Sequence, residues 1–142
     1  MFHRICMGVM VLAVGAALGA NTVRVSALPQ GDVQVIEVSA KKYEFTPAEI
    51  RVKKGAHVQL KITATDREHG FQVIAFAEGA DKKAEPGLKF DANATKPEFK
   101  LPKDQPVTIE FTASQPGTYD FKCSVFCGMG HGGMRGQIIV EP

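Results

Sequence analysis

Apolar and polar residues alternate over short stretches along most of this chain, which is the spacing of a β-strand with one buried face. The alternation is cleanest over residues 58–64 and 107–113. Glycine, proline and charged residues separate the stretches, and no long stretch repeats apolar residues at helical spacing. The pattern predicts about eight strands, over residues 33–39 with a continuation at 43–47, then 49–52, 58–64, 70–76, 98–101, 107–113, 117–123 and 136–140.

Short strands joined by turns, without helices, predict an all-β fold, and we expect a Greek-key β-sandwich. The chain has 142 residues, which is the length of one domain. Residues 77–97 break the pattern, because they are polar with scattered glycine and proline. We expect this segment to be a long surface loop, with room for one helical turn.

The first 27 residues differ from the rest of the chain. A short basic start that includes Arg4 precedes an apolar run over residues 5–20, and Val25-Ser26-Ala27 offers small residues for cleavage. This order predicts a secretory signal peptide at 1–27, removed after Ala27, and a domain at 28–142 outside the cytoplasm, in the periplasm or its equivalent. The apolar run is shorter than the roughly 20 residues of a membrane span. The alternative is that it is retained as a membrane anchor.

The charge balance says little about partners. The chain has 17 basic and 15 acidic residues, and removal of Arg4 and Arg24 with the signal leaves equal numbers. The sequence contains no basic stripe with aromatic residues along it, so nothing in it favours a nucleic-acid partner.

Four residues that can bind a metal fall within twelve positions: Cys123, Cys127, His131 and Met134. Five glycines lie within residues 128–136. Glycine tolerates unusual backbone angles, so this segment can wrap tightly around an ion and is a poor helix or strand. Thiolate and thioether donors together favour copper over hard cations such as magnesium or calcium.

Two cysteines indicate a different site from that of a one-copper protein. A single cysteine with histidines and a distant methionine makes a mononuclear blue site. Two thiolates can instead bridge two copper ions, each of which also requires a nitrogen ligand. His131 can serve one ion. For the other, His69 is preferred to His57, because it stands at a strand end beside a glycine.

Simpler interpretations of these residues stay open. Cys123 and Cys127 could form a disulfide, as exported proteins often contain. A single blue copper with Cys127 as a bystander is another possibility. Zinc could bind both cysteines, His69 and His131, but Met134 would then have no role.

The motif Cys-x3-Cys-x3-His-x2-Met, after a Gly-x-Tyr strand and with His-Gly-Phe upstream, resembles a known family. It is similar to the binuclear copper (CuA-type) domain of cytochrome c oxidase subunit II and to the C-terminal copper domain of nitrous oxide reductase. The resemblance covers roughly residues 35–142 and implies a cupredoxin-like fold. It also implies two bridging cysteines, His69 and Met134 on one copper, and His131 and the backbone carbonyl of Val125 on the other.

Three departures separate the chain from an ordinary oxidase subunit. Val125 stands where that family usually has glutamate, so the carboxylate associated with a magnesium site is missing while the carbonyl remains. The chain has no tryptophan, which the oxidase family uses at an exposed aromatic patch for electron entry. It also has at most one membrane segment, where the common oxidase subunit has two.

Together these observations predict an exported copper protein that transfers electrons and is not itself an enzyme. Its expected partner is a redox protein such as a c-type cytochrome, an oxidase or a reductase, with membrane contact only if the N-terminal segment is retained. One alternative is a one-segment, membrane-anchored subunit II of a terminal oxidase. Another is a copper carrier or a disulfide-bearing redox protein.

Overall fold

A computed structural model describes residues 32–142 of the protein, and the predicted signal or anchor lies outside these residues. The described part contains ten strands and two short 3₁₀ turns, at Asp91–Asn93 and His131–Gly133. The strands are β1 (Val33–Lys41), β2 (Glu44–Thr46), β3 (Glu49–Lys53), β4 (His57–Ala64), β5 (His69–Val73), β6 (Leu88–Lys89), β7 (Glu98–Leu101), β8 (Val107–Ala113), β9 (Gly117–Lys122) and β10 (Arg135–Glu141).

The strands form two five-stranded sheets, which confirms the predicted β-sandwich. The first sheet has the order β2-β1-β4-β8-β6, and the second has the order β3-β10-β9-β5-β7. Most neighbours are antiparallel, but β1 pairs with β4 and β3 pairs with β10 in parallel. Neighbouring strands in both sheets are therefore often distant in sequence, as in a Greek key.

The apolar positions of the alternating strands face one another between the two sheets. In β4 the side chains of Val58, Leu60 and Ile62 are fully buried, while the intervening residues are partly or fully exposed. An aromatic cluster fills the end of this core that lies nearest to β5 and β9. Its rings are Phe45, Phe71 and Phe121, with centroids 4.9–5.8 Å apart and edge-to-face or tilted contacts.

Residues 77–97 contain the predicted loop and slightly more structure than expected. The 3₁₀ turn at Asp91–Asn93 supplies the expected helical turn, and the two residues of β6 add a strand that pairs with β8. Within residues 32–142, no helix has the length and apolar character needed to cross a membrane.

Candidate metal centre

The loop that connects β9 to β10 lies beside the start of β5. Strand β9 ends at Lys122 and β10 begins at Arg135, so residues 123–134 form the loop between them. Strand β5 pairs antiparallel with β9, with Gln72 opposite Lys122. This register brings His69, at the start of β5, against Cys123, although the two residues are 54 positions apart.

Two thiols and two imidazoles form the centre of the site. The Sγ atoms of Cys123 and Cys127 are 3.9 Å apart. The Nδ1 atom of His69 lies 3.8 Å from Cys123 Sγ, and Nδ1 of His131 lies 3.7 Å from Cys127 Sγ. Each sulfur atom therefore has its own imidazole nitrogen, and both histidines present the same ring atom.

The two remaining predicted donors adjoin the same sulfur atoms. The Sδ atom of Met134 lies 3.8 Å from Cys127 Sγ, and the carbonyl oxygen of Val125 lies 3.1 Å from Cys123 Sγ. The structure thus brings together all six residues that the sequence predicts as ligands. Their role as ligands stays a prediction.

Four of the six predicted donors are buried, while His131 and Val125 are partly exposed. The side chains of His69, Cys123, Cys127 and Met134 have 2% exposure or less, while His131 is half-buried. The ring of Phe126 lies 5.8 Å from that of His131 and is 70% exposed. Met129, two residues before His131 in the chain, is 97% exposed. The cluster therefore reaches the protein surface through His131, beside two exposed apolar side chains.

Asp66 orients His69. Its Oδ1 atom lies 2.7 Å from His69 Nε2, and its second oxygen accepts a hydrogen bond from the Lys42 backbone N–H. Burial acts to raise the pKa of Asp66, but the hydrogen bonds from His69 and Lys42 outweigh it and lower this pKa to about 2. The carboxylate is therefore ionised at neutral pH and accepts a hydrogen bond from the Nε2–H group, which leaves the Nδ1 lone pair directed toward the thiols.

Arg67, which follows Asp66 in the chain, contacts the loop 123–134. Its Nη1 atom donates a hydrogen bond to the carbonyl oxygen of Cys127, at 3.2 Å. Burial, followed by the proximity of Cys123, raises the pKa of the Cys127 thiol to about 11, although the Arg67 charge acts to lower it. The metal-free thiol is protonated at neutral pH, so a metal must displace this proton to bind the thiolate.

Tyr43 covers the glycine-rich part of the loop. A Cβ atom added at Gly128 would lie 2.5 Å from the Tyr43 hydroxyl oxygen, and one added at Gly130 would overlap the Tyr43 ring. Gly128 also has a φ angle of +133°, which favours glycine. By contrast, an added Cβ atom at Gly132 would meet nothing within 4 Å. Close packing of the aromatic ring therefore requires glycine at two of these positions.

The structure places one histidine away from the site and three further residues beside it. His57, the histidine that was not preferred, lies on β4 in the first sheet and contacts Glu110 at 3.4 Å. Asp66, Arg67 and Tyr43 were not assigned to the site. Asp66 lies three residues before His69 in one turn, and this spacing could have identified Asp66 from the sequence.

The donor set fits copper. Cys123 and Cys127 are both free, so the structure contains no disulfide between them. A zinc site of two cysteines and two histidines would be complete without a thioether. Here the Met134 sulfur lies buried in contact distance of Cys127, and mixed thiolate, imidazole and thioether donors are typical of copper.

Comparison with known proteins agrees with the fold and with the predicted resemblance. The cupredoxin-like domain family matches residues 8–140, and the chain belongs to this family. Cytochrome c oxidase subunit 2 of Thermus thermophilus is 32% identical over 108 residues, which are 75% of this chain and 64% of that protein. The chain thus spans less than two thirds of this relative's length.

Two solved structures share the fold at lower identity. The periplasmic domain of subunit II of cytochrome oxidase from Bradyrhizobium japonicum has a TM-score of 0.56 and 18% identity, with 80% of this chain and 86% of that chain covered. Auracyanin A, a blue copper protein from Chloroflexus aurantiacus, has a TM-score of 0.55 and 20% identity, with 77% and 99% covered.

Proposed function

We propose that this chain is a copper-binding electron relay whose buried cluster holds two copper ions in a CuA-type arrangement. The observation that carries the proposal is the pair of thiols 3.9 Å apart, each with its own imidazole nitrogen at 3.7–3.8 Å. A blue site uses one thiolate, and Cys127 would then lack a role. Membership of the cupredoxin-like family and the identity to an oxidase subunit 2 support the choice of copper.

As the family resemblance implies, His69 and Met134 would hold one ion, and His131 and the Val125 carbonyl would hold the other. Bound copper supplies one-electron oxidation and reduction. The protein supplies a fixed donor geometry, because β5, β9 and β10 are paired in one sheet and end at the site. It also excludes water, because the side chains of His69, Cys123, Cys127 and Met134 are buried.

The proposed relay has no catalysis of its own. Two surface grooves, one on each sheet, are lined by none of the six donors, and four of the donors are buried. The half-buried His131, beside Phe126, gives electrons a short path to the surface. The proposed partner is another redox protein, such as a c-type cytochrome that donates electrons or an oxidase or reductase that accepts them.

The identity to Thermus oxidase subunit 2 favours a second candidate, in which the chain is subunit II of a terminal oxidase and residues 5–20 anchor it. For the exported relay, we expect N-terminal sequencing of the native protein to begin near Leu28. Intact Met1 in the membrane fraction would support the anchored oxidase subunit instead.

Metal content and electron paramagnetic resonance test the binuclear site. The purified, copper-loaded protein should contain two copper ions per chain. In the oxidised state one unpaired electron should be shared by two equivalent nuclei, with more hyperfine lines than one copper nucleus produces. Full loading with one ion and a single-copper spectrum would refute the binuclear proposal and leave a blue-copper protein.

Substitutions identify the donors. Cys123→Ser and Cys127→Ser should each abolish the shared-electron spectrum, because each removes one of the two sulfur atoms that would hold both ions. His69→Ala should make the two ions inequivalent. His57→Ala is the matched control, since His57 lies on the first sheet and contacts Glu110, and it should leave the spectrum unchanged.

A further inference from the structure

Two basic residues face each other where β9 and β10 meet the loop 123–134. Lys122 ends β9, Arg135 begins β10, and the register of the two strands pairs them directly. Both side chains are exposed, and neither forms an ion pair among residues 32–142. Like charges in directly opposed cross-strand positions destabilise a sheet. Stability of the sheet therefore does not account for this pair.

The pair belongs to a larger cationic surface. Lys122, Arg135 and Lys96 line one groove of about 660 Å³ on the second sheet, together with Ile74, which is 38% exposed. The groove also contains two carboxylates, but both have partners. Glu49 contacts Arg51, and Asp120 accepts a hydrogen bond from the Gln137 amide at 3.1 Å. The Gln137 amide is neutral, so the Asp120 charge remains, and the lining of the groove carries three positive and two negative side chains, a surplus of one positive charge.

The surplus of positive charge in this groove is local and does not reflect the net charge of the protein. Residues 32–142 contain as many acidic as basic residues. Lys122 is adjacent in the chain to Cys123, and Arg135 is adjacent to Met134, so the cations flank the metal centre. The Arg135 guanidinium also donates a hydrogen bond to the Gly132 carbonyl oxygen within the loop 123–134, which holds its charge at that edge.

We propose that Lys96, Lys122 and Arg135 form a docking surface for an acidic region of the redox partner protein. The proposal rests on the electron relay proposed above, and it specifies the charge of the partner. Opposite charges accelerate the encounter of two proteins and orient them, while close apolar contact forms at the centre of the interface. Phe126 and Met129 provide exposed apolar side chains next to the half-buried His131, through which the cluster reaches the surface.

The test measures by stopped flow how fast two small oxidants of opposite charge oxidise the reduced, copper-loaded protein. Ferricyanide is anionic and tris(phenanthroline)cobalt(III) is cationic. Raising the ionic strength from about 0.01 M to about 1 M shortens the Debye length from about 30 Å to about 3 Å. At the higher ionic strength, oxidation of the protein by ferricyanide should slow by roughly tenfold, which is the low end of the range for electrostatic steering. Oxidation of the protein by the cobalt complex should accelerate. Poly-L-glutamate should inhibit the ferricyanide reaction, and poly-L-lysine should not.

Paired charge reversals separate a local surface from net charge. Lys122→Glu with Arg135→Glu should reverse both salt dependences and remove inhibition by poly-L-glutamate. Lys61→Glu with Lys89→Glu changes the net charge equally at exposed positions on the first sheet. This control should leave the two salt dependences and the inhibition by poly-L-glutamate nearly unchanged. Equal effects of the two double variants would overturn the docking surface, as would rates that do not depend on salt. A copper-loaded protein that exchanges electrons with neither oxidant would overturn the relay as well.

Discussion

At the scale of single residues, the structure distinguishes the predicted donors from the residues that orient them. His69 is completely buried and contacts Cys123 through Nδ1, while its Nε2 atom contacts Asp66. Asp66 touches none of the other predicted donors, but it fixes the ring of one of them. Partners of this kind hold a ligand in place before the metal arrives.

Asp66→Ala should weaken copper binding by about 10- to 100-fold, the usual cost of losing the hydrogen-bond partner of a metal-binding histidine. Competition with a copper chelator measures the affinity. Asp66→Asn is the matched control, because its Oδ1 atom can still accept a hydrogen bond from Nε2–H, and most of the affinity should remain. Equal, wild-type affinity in both variants would show that Asp66 does not orient His69.

Met134→Leu should retain copper and raise the reduction potential. A thioether is a weak ligand, and its removal destabilises the oxidised state more than the reduced one. Leucine has a similar volume, so the buried position should stay packed. A redox titration measures the shift, and Met129→Leu, at a 97% exposed position, is the control without effect. Loss of copper from the Met134 variant would contradict the tuning role.

At the scale of elements, the loop 123–134 depends on packing by Tyr43, which lies between β1 and β2. Gly130→Ala should displace the loop, because the new methyl group would overlap the Tyr43 ring. We expect weaker copper binding and an altered visible spectrum. Gly132→Ala adds the same methyl group in open space and should change neither.

A double variant tests the cause of that displacement. Tyr43→Ala removes the ring that the methyl group would overlap, so Gly130→Ala combined with Tyr43→Ala should lose less affinity than the sum of the single changes. Strict additivity would mean that the two positions act independently, contrary to the observed packing.

The sequence predicts some strands and contacts more accurately than others, and the difference has physical reasons. Strands with strict alternation were located to within one residue, as β4 and β8 illustrate. Strand β6 has two residues, which is too short for any period, and it pairs with the edge of β8 that β4 does not occupy. Five predicted donors lie in one short segment and could be recognised together. The parallel pairing of β3 with β10, and the contact of Arg67 with Cys127, depend on long-range packing that no local pattern encodes.

At the scale of the whole molecule, the aromatic core supports the site. Phe71 packs against Phe45 and Phe121, and its strand carries His69, while the strand of Phe121 leads to Cys123. Phe71→Ala should lower the free energy of unfolding of the metal-free protein by about 3–5 kcal/mol, through lost apolar burial and the cavity it leaves. Urea denaturation followed by circular dichroism measures the change.

Phe126→Ala is the matched control for this prediction. Its side chain is 70% exposed, so the same substitution should change the free energy of unfolding by less than about 0.5 kcal/mol. Similar losses in both variants would mean that the three-ring cluster does not carry the stability assigned to it.

The uneven distribution of donors along the chain bears on how copper and folding are coupled. Five of the six proposed donors lie within residues 123–134, and only His69 must be brought in by the folded sandwich. The denatured chain therefore keeps most of the copper-binding groups within one short peptide. A ligand that also binds the denatured state stabilises the native state only by the difference between the two affinities. Copper should consequently raise the melting temperature of this protein less than its affinity for the native site implies.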